Sequence, residues 1–173
     1  AIACAEANPE IEVIVLEKGK DILQKVKISG GGRCNVTHAC FSPQELVQFY
    51  PRGTKELIGP FNRFQPSDMM EWFADRGVDL KIEADNRVFP VSDDSQTIID
   101  CLLTMAESAG VVIKKNSAVL DIKNEDGIFF IKTTNGDFET DKLLIAAGSS
   151  KKLWDIVKKL GHSIIEPVPS LFT

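Results

Sequence analysis

The chain predicts an α/β fold: a parallel sheet interrupted by a helical excursion and a three-stranded β-meander. Three observations carry that reading. A helical stretch runs into the apolar, β-branched segment 11–16, which ends on an acid, Glu17; the pattern is a strand covered on both faces. A second apolar segment, 143–148, ends in Ala146, Ala147 and Gly148, small residues that let a ligand or another backbone approach a strand's carboxyl end. Between them, Asp126-Gly127 and Asn135-Gly136 separate alternating runs, the turn chemistry of antiparallel hairpins.

The elements follow in order. Residues 1–7 read as the second half of a helix with no N-cap, broken at Asn8-Pro9-Glu10. Helix, buried strand and acid make the second half of a βαβ unit whose first strand and glycine-rich turn are missing. In a dinucleotide-binding unit an acid at this place hydrogen-bonds the adenosine ribose; the alternative is a solvated Glu17 that merely ends a strand. Ser42 and Pro43 open a helix to about residue 50. Ser67 and Asp68 open another to Arg76, closed by Gly77, with Met69, Met70, Trp72 and Phe73 facing a core. Residues 80–89 read as a short hairpin around Asp85-Asn86. Asp93 or Asp94 caps a helix that buries Ile98, Ile99, Leu102, Leu103, Met105 and Ala106 and ends at Gly110. Residues 111–113 form a short buried strand. Strands 118–123, 128–133 and 138–141 make the meander, 143–148 a further strand, 151–160 a helix closed by Gly161, and 162–165 a last strand. The helical excursion thus spans 38–110 and the meander 117–141.

A length of 173 residues at 43% hydrophobic and 26% charged suits one domain with an excursion. A net charge of -5 offers no basic stripe for a phosphate backbone, which argues against a nucleic-acid partner. No apolar run reaches bilayer length and no leader opens the chain, so a cytoplasmic protein without a membrane partner is expected. Cys4, Cys34, Cys40 and Cys101 form no CxxC pair and only His38 and His162 could assist them. Neither a metal site nor a disulfide framework is expected, and the thiols are reduced. Both histidines read as scaffolding. The abrupt start and the ending 167–173 read as a piece cut from a longer protein, so the rest of that chain is itself a partner.

The most informative run is Ser29-Gly30-Gly31-Gly32-Arg33-Cys34-Asn35. Glycine permits positive φ and lets backbone N–H groups converge on an oxygen. Arg33 could neutralise a phosphate or stack on a ring, and Asn35 offers a donor and an acceptor. A mobile surface turn is the equal alternative on residues alone. Cys34 beside Arg33 could have a lowered pKa, but a small packing residue is the better reading.

Element order and motif together resemble the flavoproteins with two dinucleotide-binding domains, in which a β-meander forms one crossover. Within them, Lys25-x-x-Ile28-Ser29-Gly30-Gly31-Gly32-Arg33-Cys34-Asn35-Val36-Thr37 resembles the signature of the YhiN, BaiN and HI0933-like family, labelled NAD(P)/FAD-dependent oxidoreductases or aminoacetone oxidases. Arg87-Val88-Phe89-Pro90-Val91-Ser92, Gly161-His162-Ser163-Ile164 and the ending Pro169-Ser170-Leu171 are similar to it as well. The resemblance implies an FAD/NAD(P)-binding Rossmann-like domain holding FAD, with NAD(P)H as a possible electron donor and a small-molecule substrate. It assigns Glu17 to the adenosine ribose and Lys18 to the adenine side. Lys25 and Ser29, Gly30, Gly31, Gly32, Arg33, Cys34 and Asn35 would line the pyrophosphate, ribityl and ring region. Val119 would read the adenine edge through its backbone, and Ala147 and Gly148 would lie near the flavin.

The chain departs from the family pattern in three places. The first strand and GxGxxG-type turn are missing. Ser149-Ser150-Lys151-Lys152-Leu153-Trp154 enters a helix where many members carry a longer glycine-rich loop. The substrate-side domain is absent. The expected activity therefore belongs to the full-length parent, this piece alone being inactive, and no catalytic residue is assigned. Two rival readings are a flavin-binding or interaction module without turnover and a fragment of an NAD-linked α/β dehydrogenase; the meander speaks against the latter, whose crossovers are helical.

Overall fold

In a computed structural model, residues 1–167 are described. The helices are α1 (Ile2–Ala7), α2 (Gln24–Ile28), α3 (Pro43–Leu46), α4 (Thr54–Phe61), α5 (Pro66–Ala74), α6 (Ser95–Ser108) and α7 (Lys151–Lys159). The strands are β1 (Ile14–Leu16), β2 (Thr37–His38), β3 (Leu80–Ile82), β4 (Arg87–Pro90), β5 (Val112–Lys114), β6 (Val119–Glu125), β7 (Ile128–Thr133) and β8 (Gly136–Thr140). They form two compact units, one from residues 3–22 and 111–167, the other from residues 23–110.

In the first unit β1 pairs in parallel with β5, Ile14 opposite Val112 and Leu16 opposite Lys114. β1 is three residues long, not the six of segment 11–16, because the ladder extends only as far as its short partner. It is also not covered on both faces: Ile14 is 36% exposed. The meander β6-β7-β8 forms as expected. Asp126 (φ 52°) and Gly127 (φ 89°) both take the left-handed conformation that a tight primed hairpin turn requires. Ile122 and Ile131 on its inner face bury Ile156 of α7, with Leu153 and Leu160 packed alongside. Ser150 caps α7 by accepting from Leu153 N (3.4 Å), and Gly161 follows the helix at φ 92°.

Two expected strands in this unit are absent. Residues 143–148 and 162–165 carry no strand pairing. An apolar run becomes a strand only where a neighbour offers its backbone, and neither segment has such a neighbour among the described residues; Leu144 is 83% exposed. Pro169, Ser170 and Leu171 lie outside the described residues.

In the second unit β4 lies between β2 and β3, both antiparallel to it, so the 80–89 hairpin forms as read. Its core gathers Cys34, Phe73, Val78 and Ile98, with Val26, Val36, Met69, Trp72 and Leu102 against them. Val88 and Phe89 are wholly buried. Ser42 caps α3 and Pro43 opens it, but the helix tightens into a 3-10 turn over Val47–Phe49. α5 starts one residue before Ser67: Gln65 is its cap, and the Asp68 carboxylate accepts from Gln65 N (2.7 Å), so Asp68 serves the third helical position and not the cap. Of the two candidates, Asp94 caps α6, accepting from Gln96 N (2.8 Å). α2 and α4 have no counterpart in the sequence reading; both are preceded by a left-handed residue, Leu23 and Gly53, where no side-chain cap announces a helix. Among the described residues no helix is long and apolar enough to cross a membrane.

Candidate cofactor-binding site

The glycine loop is built from the end of α2 outward. Ser29 Oγ donates to Val26 O (2.9 Å) and closes the helix. The chain then turns through Ser29–Gly32, with Gly30, Gly31 and Gly32 at φ 57°, 68° and 89°. Cys34 N donates to Ser29 O (3.0 Å) and locks the turn. The three glycines differ in what they face. A Cβ on Gly30 would stand 2.7 Å from Phe89 Cε1 and 2.8 Å from Asn35 N, whereas a Cβ on Gly31 or Gly32 would meet nothing within 4 Å. Gly30 therefore serves packing, and Gly31 and Gly32 present bare backbone to open space.

Arg33 is held on three sides. Its guanidinium lies 3.9 Å above the centre of the Phe89 ring, a cation–π distance. Its Nη1 is 2.6 Å from Glu83 Oε1 and 3.6 Å from Asp93 Oδ1. Asp93 in turn pairs with Lys81, and Arg87 reaches Glu83 (3.5 Å) and Asp85 (2.7 Å). The hydrogen bond from Arg33 to Glu83 raises the guanidinium's pKa further. Lys81's hydrogen bond lowers Asp93, and the backbone hydrogen bond from Arg87 lowers Asp85. Asn35 Oδ1 accepts from Val88 N (3.3 Å), and Val36 N donates to Val88 O (2.8 Å), fastening the loop's exit to β4. Ser95 Oγ of α6 donates to Lys27 O (2.9 Å) and fastens its entry. Cys34 is 6% exposed and sits in the core among Phe73, Val78 and Ile98. Lys25 stands exposed on α2.

The remaining predicted residues belong to the first unit. Glu17 directly follows β1: its N donates to Lys114 O (2.9 Å), its O accepts from Ser117 N (2.8 Å), and its Oε1 accepts from Gly19 N (2.6 Å). Lys18 is exposed. Val119 opens β6 opposite Thr133, just before an irregularity in the ladder, and packs with Ile122, Ile131 and Ile156. Ala147 and Gly148 are exposed and line an apolar groove of about 540 Å³ with Leu153, Trp154 and Val157.

Sequence reasoning missed Glu83 and Asp93 as part of the loop's support. Glu83 lies 50 positions from Arg33, and no local pattern marks the pair. Phe89 was visible only as part of the motif 87–92. A second open groove, about 770 Å³, is lined by His38, Cys40, Phe41 and Phe49, with the His38 and Phe49 rings 4.6 Å apart. Among the described residues no three acids, histidines or cysteines cluster as metal ligands would.

Residues 1–168 match the HI0933-like protein Rossmann domain. The chain belongs to that family. The match establishes the Rossmann-like fold expected from the motif and element order. Among curated relatives, the 3-dehydro-bile acid delta(4,6)-reductase of Clostridium scindens is 25% identical over 99% of this chain and 43% of its own length. The ribosomal RNA dihydrouridine synthase of Escherichia coli is 26% identical over 79% of this chain and 33% of its own. An uncharacterized CzcO-like oxidoreductase of Geobacillus kaustophilus is 26% identical over 73% of the chain. The chain spans less than half the length of these relatives. An oxidoreductase family on a nucleotide-binding fold is what these matches support.

Proposed function

We propose that this HI0933-like chain is the FAD-binding portion of a flavin-dependent oxidoreductase that reduces a carbon–carbon double bond conjugated to a carbonyl. The observation that carries the cofactor reading is the bare backbone of Gly31 and Gly32: positive φ, room for an approaching group, and a support fixed at both ends. A loop so built fits a large planar, phosphate-bearing ligand better than a mobile turn. In this reading Lys25 and the loop 29–35 flank the cofactor, with Gly31 and Gly32 toward it and Cys34 packed in the core behind them. Glu17, with Oε1 already turned to Gly19 N, uses its other oxygen for the ribose. Lys18, Val119, Ala147 and Gly148 line the rest. FAD, when bound, supplies the two-electron chemistry, with NAD(P)H as the electron source.

The reaction class rests on two relatives' names. The Δ4,6 bonds of a 3-oxo steroid and the uridine double bond lost in forming dihydrouridine are both conjugated to a carbonyl. The substrate we propose is a small molecule, without nucleic-acid or membrane partners, because the chain's net charge of -5 repels a polyanion. The dihydrouridine synthases, a second of them from Haemophilus influenzae, favour RNA as the other reading.

Anaerobic assays of the full-length protein with FAD and NADPH separate these. NADPH oxidation on adding androst-4-ene-3,17-dione supports a small-molecule enone reductase. Oxidation only with a ribosomal RNA transcript supports the RNA reading. Flavin bound without turnover on either substrate rejects the reductase and leaves a binding module.

A further inference from the structure

We infer that Arg33 is a positioning residue, not a partner of the cofactor's phosphates, and that Glu83 and Asp93 act with it to hold the glycine loop open. The inference rests on the flavin reading for its ligand, but its geometry is independent of it. Arg33, Lys81 and Arg87 meet Glu83, Asp85 and Asp93 in one connected network. Three cations face three carboxylates, so the cluster is neutral. With Nη1 2.6 Å from Glu83 Oε1 and its face stacked on Phe89, Arg33 is already committed to partners with which a phosphate would have to compete. Releasing it would leave Glu83, half-buried, short of its partner.

The network instead fixes geometry. Phe89 is wholly buried and holds Arg33 on its face. The same ring sets the limit at Gly30, where a Cβ would stand 2.7 Å away. Arg33 and Gly30 thus bracket one rigid ring. The two glycines between them, Gly31 and Gly32, hold left-handed conformations in which an added Cβ would meet nothing within 4 Å. Those are the residues whose backbone faces open space. Arg33 acts through them.

The two roles predict opposite signs. If Arg33 bound a phosphate directly, Glu83→Gln would free its charge and leave FAD binding unchanged or tighter, and Arg33→Lys would preserve most of it. If Arg33 positions the loop, Glu83→Gln weakens FAD binding in the same direction as Arg33→Ala, by roughly tenfold, the scale of one lost charge-assisted contact. Arg33→Lys does not rescue, because an ammonium lacks the planar fork and the stack. The double variant Glu83→Gln/Arg33→Ala loses no more than Arg33→Ala alone.

The experiment measures FAD dissociation constants for these variants of the full-length protein. It is paired with amide hydrogen exchange of residues 31–34 in the cofactor-free protein, with circular dichroism confirming that each variant folds. Weaker binding by Glu83→Gln together with exchange at least tenfold faster supports positioning. Tighter or unchanged binding by Glu83→Gln, or unchanged exchange in both single variants, overturns it. Should the wild type bind no FAD, the flavin reading fails while the exchange data still decide Arg33's role.

Discussion

Gly30 and Phe89 are so close that a single methyl group cannot stand between them: a Cβ on Gly30 would lie 2.7 Å from Phe89 Cε1. Phe89 cannot retreat, being wholly buried in β4. Substitution also meets a φ of 57°, a conformation that costs a residue with a side chain about 1–2 kcal/mol. Gly30→Ala is expected to lose about 2–4 kcal/mol, backbone strain and overpacking together. Gly31→Ala, with open space around its Cβ, is expected to lose only the backbone part, about 1–2 kcal/mol. Urea unfolding of the two variants measures the difference, and equal losses would refute the packing role of Gly30.

Acid is expected to loosen the second unit through Asp93. Its carboxyl is held below the ordinary range by Lys81 and, more weakly, by Arg33. A group whose folded pKa is depressed contributes stability above its unfolded pKa of about 3.9 and loses it as pH falls through the folded value. The urea midpoint therefore drops between about pH 4 and the depressed pKa. Asp93→Asn lowers the midpoint at pH 6 and flattens that drop; an unchanged pH profile in the variant would show that Asp93 contributes nothing. High salt reduces the effect, since Asp93 is 45% exposed.

Cys34 is expected to behave as a core residue. It is 6% exposed and packs on Phe73, Val78 and Ile98. Cys34→Ser buries a hydroxyl there and is expected to cost about 1–3 kcal/mol while leaving flavin binding intact. Thiol labelling of the native protein reaches the exposed Cys4 first and Cys34 only on unfolding. Rapid labelling of Cys34, or loss of flavin in a folded Cys34→Ser protein, would return it to the site.

Much of the fold was legible because its signals are local. Asp126-Gly127 needs two left-handed residues and has them, Ser42-Pro43 opens a helix, and the 3.6-residue spacing of α6 shows its buried side. What failed depends on distant partners. Residues 143–148 read as a strand from apolarity alone, yet a strand needs a neighbour that no local pattern supplies. The glycine loop shows the same division. That Gly30 to Gly32 permit positive φ was visible, but that Gly30 answers to Phe89, 59 positions on, was not. Arg33's pairing with Glu83 and Asp93 is likewise a tertiary fact. The helices α2 and α4 were missed because each begins at a left-handed residue without a side-chain cap.

The central claim is that this chain holds part of an FAD site, and the visible spectrum of the purified full-length protein tests it most directly. The protein is to be denatured afterwards and the released cofactor identified and quantified. The account predicts a flavin absorbance band and close to one FAD per chain, with the band reduced in Arg33→Ala and Glu83→Gln alike. A full-length protein that shows no flavin and takes none up from added FAD would contradict it.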